Sequence, residues 1–124
     1  MQLSSLLAGL AISKTKTAIA HSISYPLTSH FEIPHGLAAS FSLVSLFELI
    51  KENTDFKFPE EPTIVKTINI LDELKLGEKI LKFASRKQIE GVQDEMYSPE
   101  RAKNFVYSIS GADLKDIISS SLNY

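Results

Sequence analysis

Residues 18–51, AIAHSISYPLTSHFEIPHGLAASFSLVSLFELIK, decide how the chain is read. After Pro34, the residues Leu37, Phe41, Val44, Phe47 and Ile50 recur at three- and four-residue spacing, and Leu43, Leu46 and Leu49 lie around the rest of the same helix. A helix that is apolar nearly all round is a buried one, so residues 35–51 are expected to form one buried helix. Upstream, residues 18–29 make a second helical pattern with Pro26 inside it. Proline removes a backbone donor and clashes with the preceding turn, so a kink or an early end is expected there. Residues 2–12 are compatible with a short helix, and residues 13–17 with a polar connection.

Beyond residue 51 the pattern becomes amphipathic. Residues 53–62, with two prolines and mixed charges, are expected to be a surface loop. From Thr63, the residues Ile64, Val65, Ile68, Leu71 and Leu74 keep a helical period, and Gly77 stands where a helix C-terminus would favour glycine. A short helix is expected over residues 78–84. Ser98, Pro99 and Glu100 open another with Pro at the first helical position, and Ser110 to Asp113 form a capping-box pattern that starts a last helix to about Ser121. No segment alternates with period two, and no internal repeat is visible. The expected fold class is therefore all-α, a helical bundle in one domain.

Charge is spread unevenly. Residues 1–50 carry only Lys14, Lys16, Glu32 and Glu48, leaving 24 of the 28 charged side chains to the rest. So long a stretch with so little charge is expected to be covered by something else, either within or outside the chain. The 124 residues, 44% apolar and 23% charged, otherwise fit a soluble globular domain. A net charge of -2 argues against nucleic-acid binding. Apolar runs fall short of the roughly 20 residues a membrane helix needs. Near the start, Lys14 and Lys16 follow the apolar run instead of preceding it, which is the wrong order for a secretory signal. With no cysteine, metal chemistry must rest on His and carboxylate. A cytoplasmic protein is the expectation.

All three histidines fall within fifteen residues, at His21, His30 and His35. His21 on the second helix and His35 at the start of the third are placed to converge on one ion. The plain alternative is a hydrogen-bonded His21 with His30 and His35 at a loop and a helix start. A small zinc site built from all three is a further reading.

Ala8-Gly9-Leu10-Ala11, then His21-Ser-Ile-Ser-Tyr-Pro-Leu, then Ile33-Pro34-His35-Gly36-Leu37-Ala38 resemble, in order and spacing, the metal-binding segment of iron-containing alcohol dehydrogenases. The likeness is strongest over residues 5–50. It is more diffuse over residues 60–124, where Ser98-Pro99-Glu100-Arg101 and the last helix are similar to that family's tail. It implies that residues 1–124 are part of the family's C-terminal helical domain, with a metal-ligand segment at 5–50 and amphipathic helices at 60–124.

The resemblance further implies that His21 and His35 supply two of four protein ligands to Fe(2+) or Zn(2+). The other two, an Asp and a His, belong to an earlier helix of the family that has no counterpart here. The five glycines are scattered singly, so no Gly-rich phosphate loop exists, and no cofactor-binding residue is assigned. NAD(P) is expected only in a complete enzyme, together with a small alcohol or aldehyde substrate. Many members carry a His four residues after the first ligand. Here that position is Tyr25, a candidate substrate-side residue whose other reading is packing beside the metal. His30 has no ligand counterpart and is expected at the surface. Two functions are carried forward: a metal-dependent NAD(P)-linked alcohol or aldehyde oxidoreductase lacking an N-terminal portion, and a non-catalytic helical module that docks or forms a homodimer.

Overall fold

The computed structural model describes residues 2–14, 17–52 and 61–124, which form helices and turns with no strand among them. The expected all-α class holds. Among the described residues ten helices follow in order: α1 (Gln2–Lys14), α2 (Ile19–Phe31), α3 (His35–Ser40), α4 (Leu43–Glu52), α5 (Glu61–Glu73), α6 (Leu76–Ile80), α7 (Arg86–Gly91), α8 (Gln93–Met96), α9 (Pro99–Ala102) and α10 (Gly111–Ser121).

The central element is α2, which packs against α3, α8 and α9. Its Ile19, Ile23 and Leu27 are fully buried in one cluster with Ile33, Phe41, Met96 and Ile118. Pro26 neither ends nor shortens this helix: it is buried inside it, and α2 runs on to Phe31. The stop is made by Glu32, which takes the left-handed conformation at φ 54° and donates its N–H to Thr28 O at 3.1 Å. A non-glycine residue there is strained, yet the reversal turns the chain back so that His35 opens α3 beside α2.

The single helix expected over residues 35–51 is two, α3 and α4, with a turn at Phe41 and Ser42 between them. The backbone ladder survives in part, since Phe41 N–H reaches Leu37 O at 3.1 Å and Leu46 N–H reaches Ser42 O at 3.0 Å. A segment apolar all round has more than one face to bury. The bend divides them, with α3 against α2 and α6, and α4 against α5 and α10.

Gly77 is not a helix end. The left-handed position after α5 belongs to Lys75 at φ 49°, and Gly77 lies inside α6 with no positive φ. Glycine is required there by space. A Cβ would stand 2.6 Å from both Ser121 O and Tyr124 O, and the Gly77 N–H donates to Tyr124 O at 2.9 Å. Arg86 holds the same chain segment, donating to Ser119 O at 3.3 Å and to Asn123 Oδ1 at 2.8 Å.

Other boundaries moved. Glu61 and Pro62, assigned to a surface loop, begin α5, while residues 53–60 of that loop lie outside the described residues. α1 continues to Lys14, and residues 15–16 of the expected connection are likewise outside. The helix expected at 78–84 ends at Ile80. α7 was not foreseen, although Ser85 and Gln88 form a full capping box at its start. The expected capping box at Ser110 and Asp113 is formed.

Low charge over residues 1–50 has two outcomes. α2, α3 and α4 are covered by other helices of this chain. On α1, Leu3, Leu6, Leu7 and Leu10 remain between 56% and 68% exposed. No helix among the described residues is long and apolar enough to cross a membrane.

Candidate metal centre

His21 lies in the first turn of α2 and His35 is the first residue of α3, so both imidazoles are carried by helix starts, the second brought back alongside α2 by the reversal at Glu32. Their ring centres are 5.5 Å apart, with planes tilted by 59°. Two imidazoles on one tetrahedral ion, with bonds of about 2.0–2.1 Å, hold their ring centres roughly 5 Å apart. The pair is therefore spaced as two ligands of one ion would be. Among the described residues no three His, Asp or Glu side chains come together to hold a metal.

Ser24 was not singled out from the sequence, yet it orders this pair. It is fully buried and donates its hydroxyl hydrogen to His21 O at 2.8 Å. Its oxygen also lies 3.5 Å from His35 Nδ1, a long contact. With its hydrogen committed, Ser24 can only accept from His35, which favours a proton on Nδ1 and a bare lone pair on Nε2. Metal-binding histidines are commonly oriented through their second nitrogen in this way. A serine three residues after a histidine on a helix is the sequence signal, but a common one.

Burial, then the neighbouring His35 and Arg101, push the His21 pKa below its ordinary 6.5. Each cause disfavours the imidazolium, so His21 keeps a lone pair at neutral pH. The donor chemistry and spacing of the pair fit half of a divalent-metal site.

Tyr25 stands on α2 one turn after His21. Its ring stacks on His35, with centres 6.2 Å apart and planes at 29°, and the Arg101 guanidinium lies 4.5 Å above the ring centre. The side chain remains 44% exposed. Tyr25 thus packs against His35 and also faces an open groove of about 580 Å³, whose lining includes Thr28, His35, Glu95, Ser98 and Arg101. His30 lies apart at the surface, its Nε2 2.8 Å from Glu95 Oε2, so the fold does not gather His21, His30 and His35 into one site. Arg101 and Glu95 come to the groove from α9 and α8, some 70 residues beyond α2, and spacing along the chain gives no hint of this.

Compared with known proteins, residues 1–90 match the family described as Fe-containing alcohol dehydrogenase family, C-terminal. No curated protein and no solved structure matches the chain. The match spans both histidines, Ser24 and Tyr25, and ends before α8 and α9. With its all-helical fold and its paired imidazoles inside the matched region, the chain belongs to the Fe-containing alcohol dehydrogenase family, in that family's C-terminal part.

Proposed function

We propose that this chain supplies the two-imidazole half, His21 and His35, of the divalent-metal centre of an NAD(P)-linked alcohol or aldehyde oxidoreductase. The observation that carries the reading is the pair itself, 5.5 Å apart, with Ser24 facing His35 Nδ1. The family is iron-containing, and iron with NAD(P) belongs to its complete enzymes. In the family the remaining ligands are an Asp and a His, and the described residues bring no third ligand to the pair. When bound, the ion supplies Lewis-acid polarisation of the substrate oxygen, while hydride is exchanged with the nicotinamide.

His21 and His35 then act as ligands and not as general bases, since each lone pair is committed to the metal. Ser24 sets the tautomer and plane of His35. Tyr25 covers one face of His35 and turns its phenol to the groove, where it can donate a hydrogen bond to a substrate oxygen. The absence of cysteine supports a cytoplasmic setting, and a small alcohol or aldehyde is the substrate this chemistry takes.

Titration of the chain with Fe(II), or with Zn(II) as a diamagnetic substitute, tests this reading by NMR of the imidazole protons. Weak binding at one site is expected, since the described residues bring only two ligands together, and it should disappear in His21→Ala and in His35→Ala. Shifts confined to His30, or an affinity unchanged in either variant, would overturn the assignment.

One observation favours a second reading, a helical module that docks or dimerises: the exposed leucines of α1. A contiguous apolar face of this kind marks interaction surfaces. Sedimentation of the wild type against Leu6→Glu decides it, a concentration-dependent dimer lost in the variant supporting it and a monomer in both excluding it.

A further inference from the structure

The groove beside the imidazole pair is lined by one guanidinium, Arg101, and one carboxylate, Glu95. The Arg101 guanidinium carbon lies 4.5 Å from the centre of the Tyr25 ring, and the guanidinium makes no hydrogen bond or ion pair with another described residue. A guanidinium carries five N–H donors in a fixed fork matched to carboxylate and phosphate oxygens. Contact with an aromatic face steadies a guanidinium while leaving its N–H donors available to an anion. In the wall of the same groove, Thr28 Oγ1 is buried without a hydrogen-bond partner, a condition native proteins avoid unless something else completes it. Ser98 adds a hydroxyl that does not cap α9. Glu95 also lines the groove and opposes negative charge there, but one of its oxygens is engaged by His30 at 2.8 Å.

We propose that Arg101 is a specificity-determining residue that anchors an oxyanion, and that the substrates handled at the imidazole pair are short alcohols or aldehydes bearing an acidic group. The reactive oxygen lies at His21 and His35, the acid end lies at Arg101, and Tyr25 spans the distance between them through its contacts with both. Ser98 adds a hydrogen bond to the acid. This inference rests on reading His21 and His35 as the metal's ligands, and Arg101 lies beyond residues 1–90, which the family match covers.

The test uses the metal-free full chain and three probes: acetate, inorganic phosphate and neutral acetamide, which copies the shape of acetate. Each is titrated while the Tyr25 ring and Arg101 Nε–H resonances are followed. Saturable shifts with acetate or phosphate and none with acetamide are expected, the better probe distinguishing carboxylate from phosphate substrates. Arg101→Gln should weaken the favoured anion by about tenfold or more, with part of the affinity kept in Arg101→Lys. Equal shifts with acetamide, or an anion affinity unchanged in Arg101→Gln or fully kept in both variants, would overturn the proposal. His21→Ala separates the two readings. Anion binding that persists when metal binding is lost belongs to Arg101 alone, and intact metal binding without anion binding refutes the anchor and spares the metal centre.

Discussion

Gly77→Ala sets two effects of opposite sign against each other. In an ordinary helix interior the substitution stabilises by about 1 kcal/mol, because alanine loses less backbone freedom. Here the new Cβ would stand 2.6 Å from Ser121 O and Tyr124 O and 3.0 Å from Leu122 C, where ordinary contact begins near 3.4 Å. All three atoms are backbone, and Leu122 is buried at 4% exposure, so no side chain can swing away. Overpacking of this kind costs about 1–3 kcal/mol, and displacing the chain also loosens the bond from Gly77 N–H to Tyr124 O, worth about 1 kcal/mol. The net expectation is a loss of roughly 2 kcal/mol, or about 8 °C in Tm for a domain of this size. Thermal and urea unfolding of the two proteins, with Gly91→Ala as control, measure it. A Cβ at Gly91 meets nothing within 4 Å, so that variant should be neutral or slightly more stable. If Gly77→Ala melts at or above the wild type, the close approach of residues 121–124 to α6 is wrong.

Ser22→Ala should destabilise by about 1–3 kcal/mol in urea unfolding, because the Ser22 hydroxyl donates to Met96 O at 2.6 Å in the core and its loss leaves a buried carbonyl unpaired; no loss would deny that α2 and α8 are joined there. Glu32→Gly should stabilise by about 0.5–1 kcal/mol, since glycine adopts φ 54° without strain, and a less stable variant would mean that Glu32 contributes more than backbone shape. Asp113 accepts from Ser110 N–H and Oγ at 2.7 Å each, and these bonds hold its pKa below the ordinary 3.8. A depressed pKa contributes stability that is present above 3.8 and lost as pH falls through the lower folded value. The stability gap between wild type and Asp113→Ala should therefore close below pH 3.8, and a gap that is constant with pH would show that the carboxylate charge is not what caps α10.

Much of the fold was legible because its causes are local. Helix periods at Ile64 to Leu74, proline at Pro99 and the capping box at Ser110 act within a few residues, so they can be read in one dimension. His21 and His35 were singled out for another reason: their neighbours, Pro26, Pro34 and Gly36, carry a family pattern, and the fold brings the two rings within 5.5 Å. Local signals were also misleading where two requirements compete. Gly77 has the look of a helix end, yet its role is to admit the backbone of residues 121–124, and an unfavourable Lys75 takes the left-handed turn. The run from Gly36 to Lys51 has the period of one helix, but two sets of partners pull its halves to different sides of the bundle.

By itself the sequence determined the helical class, the cap at Ser110 and the two histidines with their likeness to iron-containing alcohol dehydrogenases. Only the tertiary structure decided that Ser24 faces His35 Nδ1, that Arg101 lies over Tyr25 in a groove beside the imidazoles, and that His30 turns away to Glu95. Helix periods and caps follow from neighbours three or four residues apart. Contacts between residues 65 to 76 apart, as for His30 and Glu95 or Tyr25 and Arg101, depend on how α8 and α9 pack against α2, which no local spacing encodes.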